Sequence, residues 1–376
     1  MTGKLRCVKC HCFKALNVIL LFSAVFVLSK DSNSTGASIF HAVDKNTYPY
    51  NSVKFTNKVY ERLVYFSKIS AVVSCISDNR LIPGKTLKNG GCPQYLAFCS
   101  DDKVNPTIDR TSVEAVLIAG KDELGTGAVI VDHGRGVVIL SFRGSTTSQD
   151  WASDFEIYPV DYFPTSEEYY RKKIEDGVIK PCKSCKIHRG FNKFSKTLGD
   201  PFLEKVENIF LQHPDYRFVI TGHSLGAALA IISGIEFKLR GFNPVVLTYA
   251  NPKMFNKEMK EWVDELFSVK QMDRHILETG ELSFEKGYFR VVHDRDYIPM
   301  LPPFYHSAGL EIFIRKDELP HRISDLEYKG SRDYYNPEDF ADEDWQTQAS
   351  GFSNRDWLHK KEHRCYFIDI AGCLGF

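Results

Sequence analysis

The stretch YRFVITGHSLG at residues 216–226 decides the fold. Residues 216–221 are β-branched and aromatic, which predicts a strand, and residues 227–239 predict a helix. The turn between them, GHSLG at residues 222–226, has the G-x-S-x-G pattern of a nucleophile elbow, which presents a serine at the edge of a sheet. Both glycines fit this interpretation, because a Cβ at either position would collide with the neighbouring strand or helix. The alternative is a buried strand-to-helix turn with an incidental serine.

The composition is that of an ordinary globular protein with a large core. The 376 residues are 43% apolar and 26% charged, which suits one large α/β domain or two smaller domains. The 48 Lys and Arg residues balance the 48 Asp and Glu residues. Charge therefore gives no reason to expect a nucleic-acid partner.

Residues 1–30 predict a targeting segment, because a basic beginning precedes an apolar run at residues 15–28. That run is short for a membrane span, which needs about 20 residues. The segment is therefore a signal peptide or an uncleaved signal anchor, and both send the following residues into the secretory lumen. On that side Asn33 begins a glycosylation sequon. Residues 31–56 predict a linker, and residues 57–376 predict the folded domain.

Two strands are predicted before the elbow, at residues 127–131 and 137–142, and a hairpin turn joins them. The second strand ends in Arg143-Gly144-Ser145. A small polar residue at the carboxyl end of a strand can donate its backbone N–H to an oxyanion that develops during acyl transfer. We nominate Ser145 for this role, and the N–H of Leu225, at the start of the elbow helix, as the second donor. The alternative is a structural strand-to-loop turn.

Residues 151–179 form a candidate lid, in which apolar and aromatic side chains alternate with acidic ones. An amphipathic segment directly after the oxyanion loop can cover a site in water and swing away at a lipid interface. A fixed surface helix is the alternative. The proposed lid side chains are Trp151, Phe155, Ile157 and Tyr158.

A nucleophilic Ser224 needs an acid and a base, which follow it in the order Ser, acid, His in this kind of fold. Residues 288–293 predict a strand, and two competing carboxylates, Asp294 and Asp296, lie at its end. His363 is the favoured base, because an apolar run behind it can pin its loop. The other candidates for the base are His306, which shares the loop of the two carboxylates, His321 and His359.

Three of the ten cysteines lie before residue 13, so seven remain in the predicted lumenal part. Most of these should pair in an oxidising lumen, and their odd number leaves at least one unpaired. Cys182 and Cys185 have C-x-x-C spacing, but no second such pair follows, so a tight disulfide is expected rather than a zinc site. The pattern Cys7-x-x-Cys10-His11 has the spacing of a haem attachment, but no pocket is expected in a targeting segment. No metal or cofactor is predicted.

Four sequence blocks together resemble the filamentous-fungal, or class 3, lipases, and most closely their secreted yeast members. The blocks are FRGSTTSQDW at 142–151, TGHSLG at 221–226, RVVHDRDYIPMLPP at 290–303 and HRCYF at 363–367. The resemblance implies an α/β-hydrolase fold with a mainly parallel sheet, Asp296 as the acid and His363 as the base. It also implies Ser145 as an oxyanion donor and a lid that begins near Trp151. The implied disulfides are Cys75–Cys373, Cys92–Cys99 and Cys182–Cys185, with Cys365 free.

The expected function is hydrolysis of carboxylic esters through an acyl-enzyme on Ser224, with acylglycerols as the leading substrate. We expect a monomer that acts at a lipid interface and is either secreted or lumenal and anchored by its N-terminal segment. One alternative is an esterase for phospholipid, sterol or short-chain esters. A second is a thioesterase or peptidase on the same elbow. A third is a lumenal lipid-binding protein that does not catalyse any reaction.

Overall fold

The structure is a computed structural model, and it describes residues 52–119, 125–144, 158–302, 304–331, 333, 361–370 and 373. All of these belong to one compact unit that spans residues 43–376. The predicted targeting segment and most of the predicted linker lie outside the described residues. The described chain begins to pack before residue 57, since Val53 is 8% exposed and the Lys54 N–H donates to the Gly280 carbonyl at 3.2 Å.

Thirteen strands lie in the described part of the chain. They are β1 Lys85–Thr86, β2 Thr111–Leu117, β3 Gly127–Asp132, β4 Val137–Phe142, β5 Pro159–Asp161, β6 Lys186–His188, β7 Arg217–His223, β8 Val245–Tyr249, β9 Gly287–His293, β10 Leu310–Ile314, β11 Leu326–Gly330, β12 Cys365–Tyr366 and β13 Ile368–Asp369. Nine of them form one sheet in the order β1-β2-β3-β4-β7-β8-β9-β10-β11. The pairs β5–β6 and β12–β13 form two small antiparallel ribbons.

The centre of the large sheet is parallel. Strands β4, β7, β8, β9 and β10 pair in parallel, whereas β1 to β4 and the pair β10–β11 are antiparallel. Every residue of β4, β8 and β9 is buried. Continuous burial of this kind is expected when helices cover both faces of a parallel sheet. The predicted mainly parallel α/β sheet is therefore confirmed.

Eight α-helices lie in the described part. They are α1 Asn57–Val73, α2 Ala97–Ser100, α3 Glu167–Glu175, α4 Arg189–Leu211, α5 Leu225–Leu239, α6 Lys257–Leu266, α7 Val269–Thr279 and α8 Lys361–Arg364. Residues that favour helix ends lie at the ends of several of these helices. The Thr56 hydroxyl accepts a hydrogen bond from the Val59 N–H at the start of α1, and the Asn256 side chain accepts one from the Met259 N–H at the start of α6. Gly241, with a φ of 97°, lies just after α5.

Helices α1 and α5 cover opposite faces of the sheet. The Ser70 hydroxyl of α1 lies 3.5 Å from the Thr221 hydroxyl of β7, and Thr221 is paired with Leu247 of β8. The residue before Leu247, Val246, packs against Gly234 of α5, where a Cβ would meet the valine side chain. Successive strand residues point to opposite faces, so the two helices lie on opposite sides of β7 and β8.

Helix α4 differs from its predicted form. The Asp200-Pro201 pair predicts a helix start at residue 200, but the helix begins at Arg189 and is interrupted at Gly199, where φ is 38° and ψ is 159°. Asp200 and Pro201 therefore open the second part of a broken helix. The described part of the candidate lid, residues 158–179, contains the short strand β5 and helix α3.

Three disulfides bond the cysteine pairs that the resemblance implies, namely Cys75–Cys373, Cys92–Cys99 and Cys182–Cys185. Among the described cysteines, Cys365 is unpaired and buried. Burial raises the pKa of the Cys365 thiol to about 11, so it remains protonated at neutral pH.

No helix in the described part of the chain is long and apolar enough to cross a membrane.

Candidate active site

The elbow between β7 and α5 holds Ser224 in a strained backbone conformation. Its φ is 58° and its ψ is −126°, a region that residues with a side chain rarely adopt. The turn is tight because Gly222 and Gly226 are in close contact with other backbone atoms. A Cβ on Gly222 would overlap the Gly226 carbonyl, and a Cβ on Gly226 would overlap the Phe142 carbonyl of β4. The Ser224 N–H donates to the Tyr249 carbonyl at 3.0 Å, which fixes the elbow to β8.

Three side chains from distant parts of the chain form one line of hydrogen bonds beside this elbow. His363 Nε2 lies 3.0 Å from Ser224 Oγ, and His363 Nδ1 lies 3.0 Å from Asp296 Oδ1 and 3.1 Å from Asp296 Oδ2. Ser224 is 5% exposed, His363 4% and Asp296 1%. The nucleophile candidate, the favoured base and one of the two acid candidates are thus in hydrogen-bond contact, in a setting from which water is largely excluded.

Asp296 is held as a carboxylate by the groups around it. Burial raises its pKa, but the charge of His363 and hydrogen bonds from His363, Tyr366 and the Ile298 N–H outweigh burial, so the pKa lies below the usual value. The Tyr366 hydroxyl donates to Asp296 Oδ2 at 2.5 Å, and the Ile298 N–H donates to Asp296 Oδ1 at 3.0 Å. A carboxylate in this position can fix the orientation of the imidazole and stabilise its protonated form.

The competing candidates have other partners. Asp294 Oδ1 accepts a hydrogen bond from the Arg295 N–H at 3.1 Å. His306 Nδ1 lies 3.1 Å from Asp333 Oδ2, and His321 Nδ1 accepts from the Phe367 N–H at 3.1 Å. His359 lies outside the described residues. Among the described candidates for the acid and the base, Asp296 and His363 are thus the two that contact one another. They are also the two residues that the resemblance implies.

Three residues of the site are not among the predicted ones. Tyr366 bonds the acid, as described above, and its hydroxyl also accepts from the His293 N–H at 3.2 Å. His223 Nε2 lies 2.8 Å from the carbonyl oxygen of His363. His293 Nδ1 lies 2.7 Å from the carbonyl oxygen of Glu362. All three lie inside the sequence blocks that carry the resemblance. The three contacts named here from His223, from His293 to Glu362 and from Tyr366 to Asp296 join residues at least 69 positions apart, so no local sequence pattern could predict them.

The oxyanion and lid predictions fall largely outside the described residues. Leu225 begins α5, and the first N–H groups of a helix have no acceptor within the helix. Gly144 lies beside Ser224, since a Cβ on Gly144 would be 3.7 Å from the Ser224 Cβ, but Ser145 itself is not among the described residues.

Of the proposed lid side chains, Tyr158 is described, and it is 60% exposed. The other lid residues, Trp151, Phe155 and Ile157, and the sequon residue Asn33 also lie outside the described part.

No group of three or more His, Cys, Asp or Glu side chains in the described part of the chain could hold a metal ion. The chemistry that this arrangement can perform needs none. A serine hydroxyl within hydrogen-bond distance of an imidazole nitrogen, with a buried carboxylate behind the imidazole, is an arrangement that can perform nucleophilic catalysis of acyl transfer.

Comparisons with known proteins identify the family to which the chain is similar. The family model for "Lipase (class 3)" matches residues 139–306. The Saccharomyces cerevisiae protein named "Putative lipase LIH1" is 54% identical over 325 residues, which cover 86% of this chain and 98% of that protein. A "Secreted mono- and diacylglycerol lipase 2" from Gibberella zeae is 28% identical over 219 residues, which cover 53% of this chain and 52% of that protein.

The fold has a match among solved structures. The crystal structure of Lip2 lipase from Yarrowia lipolytica superposes with a TM-score of 0.63 at 20% sequence identity, covering 85% of this chain and 97% of that chain. At this identity the match shows the α/β-hydrolase fold alone.

Proposed function

Because the chain belongs to the class 3 lipase family, we propose that it is a lipase that hydrolyses acylglycerols through an acyl-enzyme on Ser224, with His363 as the base and Asp296 as the acid. The observation that carries this proposal is the unbroken line of hydrogen bonds from Ser224 Oγ through His363 to Asp296. The Leu225 and Ser145 N–H groups are proposed as the oxyanion donors.

The geometry supports a two-step mechanism. Asp296 accepts a hydrogen bond from the N–H at His363 Nδ1, so that the other ring nitrogen, Nε2, is unprotonated and faces Ser224 Oγ. Ser224 attacks the ester carbonyl while His363 takes its proton, and His363 then gives that proton to the leaving alcohol. In the second step His363 takes a proton from the water that attacks the acyl-enzyme and returns it to Ser224 Oγ as the bond between Oγ and the acyl carbon breaks, which releases the fatty acid. The oxyanion of both tetrahedral intermediates would be held by backbone N–H groups.

Hydrolysis of p-nitrophenyl esters of several chain lengths by the purified protein tests the proposal. We expect activity that is lost in Ser224→Ala and in His363→Ala. Ser233→Ala is the matched control, because Ser233 is a fully buried serine on the same helix α5. Equal activity in the wild type and Ser224→Ala would reject the mechanism. A folded wild type with no activity on any ester would favour the non-catalytic lipid-binding alternative.

The substrate class is proposed from the family and from the names of the relatives. Release of fatty acid from tri-, di- and monoacylglycerol emulsions, compared with phospholipid and sterol esters, would rank the alternatives. Action at a lipid interface, with residues 151–158 as part of the lid, predicts a jump in rate when a triacylglycerol exceeds its solubility limit. A smooth saturation curve through that limit would argue against the lid.

The location in the cell is also part of the proposal. We propose that residues 1–30 direct the chain into the secretory pathway, where an oxidising lumen would permit the three disulfides. The protein is then a secreted or lumenally anchored monomer, with the folded domain after a linker. N-terminal sequencing of the mature protein distinguishes a cleaved signal peptide from a retained anchor. Size-exclusion chromatography tests the monomer.

A further inference from the structure

His293, at the end of β9, is a fully buried histidine whose two ring nitrogens both face backbone carbonyl oxygens. Its Nδ1 lies 2.7 Å from the carbonyl oxygen of Glu362, and its Nε2 lies 2.7 Å from the carbonyl oxygen of Lys316. Its exposure is 0%. The imidazole therefore joins three separate segments: the strand that leads to Asp296, the loop after β10 and the helical turn α8 that carries His363.

The chemistry of these contacts requires a proton on each nitrogen. A carbonyl oxygen only accepts hydrogen bonds, and a neutral imidazole has one N–H and one bare nitrogen. In a neutral His293, a bare lone pair would point at a carbonyl oxygen 2.7 Å away, where both atoms carry negative partial charge. With two N–H groups the same geometry gives two short hydrogen bonds of the charge-assisted kind, which are stronger than neutral ones.

A second histidine holds the neighbouring carbonyl group. His223, the residue before Ser224, lies with its Nε2 2.8 Å from the carbonyl oxygen of His363. Burial, and then the charge of His363, lower the pKa of His223 to about 3, so His223 is neutral and can donate only through Nε2. Consecutive carbonyl groups of α8, those of residues 362 and 363, are thus held by histidines from β9 and β7. These are the strands that lead to Asp296 and to Ser224.

We propose that His293, as a doubly protonated imidazolium, and His223, as a neutral donor, form a histidine clamp that positions His363 between Ser224 and Asp296. The inference rests on the proposed catalytic role of His363. In this clamp His293 and His223 are positioning residues, since neither contacts the reacting atoms. The strand of the nucleophile and the strand of the acid each fix the backbone of the base by one hydrogen bond.

Titratable and charged groups lie on each of the segments that pack against His293. Its own loop carries Asp294 and Asp296, and the loop after β10 carries Lys316 and His321. The C-terminal segment carries Glu362, His363 and Tyr366. The His321 ring centroid lies 4.8 Å from that of His293. Burial, and then the charge of His293, lower the pKa of His321 to about 4, so the imidazole beside His293 is neutral.

Nuclear magnetic resonance of the ring nitrogens tests the protonation directly. The Ser224→Ala protein, labelled with ¹⁵N-histidine, keeps the clamp and removes turnover. A ring nitrogen without a proton gives a ¹⁵N signal far from that of a protonated one. We expect two protonated nitrogens for His293 and one for His223 at neutral pH, with assignment by loss of each signal in His293→Gln and His223→Gln. A bare nitrogen on His293 at neutral pH would overturn the proposal.

Kinetics test whether the clamp positions the base. In His293→Gln the amide can donate to one carbonyl, but its oxygen then faces the other. We expect kcat for p-nitrophenyl esters to fall about 10- to 100-fold with little change in KM, as for a base displaced by a fraction of an ångström. The hydrogen-bonded Nδ1 proton of His363 should also shift or broaden. The control is His133→Gln, at the far end of the hairpin between β3 and β4, which should keep the wild-type kcat.

The outcomes separate this inference from the proposed function. If Ser224→Ala keeps full activity, the proposed mechanism fails, whereas the ring-nitrogen signals of His293 still report the clamp. If His293→Gln is folded by circular dichroism and keeps the wild-type kcat and the wild-type signal of the His363 Nδ1 proton, the clamp does not position the base. If His293→Gln does not fold, the ring nitrogens of His293 are assigned in the Ser224→Ala protein by through-bond correlation to the backbone of residue 293, and that spectrum decides whether His293 is doubly protonated.

Discussion

Asp294 and Asp296 are two residues apart but make different contacts. Asp296 is in contact with the imidazole of His363, whereas Asp294 accepts from the N–H of the next residue. The sequence leaves these two carboxylates as competing candidates, because both follow the end of β9. The turn after the strand decides between them, since the hydrogen bonds from Ile298 and Tyr366 hold Asp296 toward His363.

Exchanging each carboxylate for an amide gives the first prediction. We expect Asp296→Asn to lower kcat on the order of 10³- to 10⁴-fold, because an amide can present its N–H₂ group to His363 and favour the wrong tautomer. Asp294→Asn, the matched control, should change kcat less than about 10-fold. The measurement is steady-state hydrolysis of a soluble p-nitrophenyl ester by both variants. A larger loss in Asp294→Asn would exchange the roles of the two residues.

The second prediction concerns acid stability. The folded-state pKa of Asp296 is lowered, so its stabilising contribution is complete above the unfolded-state pKa of about 3.9 and is lost as the pH falls through the folded-state value. The difference in the free energy of unfolding between the wild type and Asp296→Asn should therefore be constant near neutral pH and shrink below about pH 4. Urea unfolding of both proteins over this pH range measures it. A difference that does not change with pH would contradict the lowered pKa.

At the scale of elements, helix α5 does more than present Ser224. Its buried Glu236 accepts hydrogen bonds from the Thr165 N–H at 3.0 Å, the Ser166 N–H at 2.8 Å and the Tyr162 hydroxyl at 3.1 Å. Burial raises the pKa of Glu236, and these donors oppose the effect. The carboxylate thus fixes residues 162–166, which lie inside the candidate lid, onto the elbow helix.

Removal of this carboxylate gives the third prediction. Glu236→Ala leaves three donors without their acceptor and should lower the free energy of unfolding by about 3 kcal/mol or more. Glu236→Gln should cost about 1–3 kcal/mol, because its amide N–H₂ group faces another donor. Glu261→Ala, an exposed glutamate on α6, should stay within about 0.5 kcal/mol of the wild type. Denaturant unfolding compares the variants. Equal values for Glu236→Ala and Glu261→Ala would show that the segment is fixed by other contacts.

Local patterns predict some elements well and others poorly, for physical reasons. The elbow could be read from the sequence because a strand, a turn and a helix each have a local pattern over a short stretch. The broken helix α4 could not, because Asp200-Pro201 has the same appearance at the start of a helix and after a break within one. The pairing of β10 with β9 depends on the whole sheet. Contacts such as that between Tyr366 and Asp296, 70 residues apart, have no local signal.

At the scale of the whole molecule, the disulfide Cys75–Cys373 joins the region after α1 to the C-terminal segment. It links residues 298 apart, whereas Cys182–Cys185 links residues 3 apart. In the chain-entropy model a cross-link stabilises the folded state more when it closes a longer loop. The segment that it holds includes α8 and His363, so this disulfide connects global stability to the proposed base.

The fourth prediction compares these two disulfides. Replacing Cys75 and Cys373 by Ser should lower the free energy of unfolding by about 5 kcal/mol, against about 2 kcal/mol for Cys182 and Cys185. Ester hydrolysis should also fall more steeply with temperature in the first variant, because the segment that carries His363 is released. Thermal unfolding and activity as a function of temperature measure both effects. Equal losses in the two variants would show that loop length does not govern the stabilisation.

The position of His363 along the chain has a consequence for biosynthesis. Ser224 leaves the ribosome 139 residues ahead of it, and Asp296 leaves 67 residues ahead. If Ser224, Asp296 and His363 act as proposed, a nascent polypeptide that contains the elbow and the acid still lacks the proposed base. On this proposal, the nascent chain cannot hydrolyse an ester by the proposed mechanism until residue 363 has been synthesised.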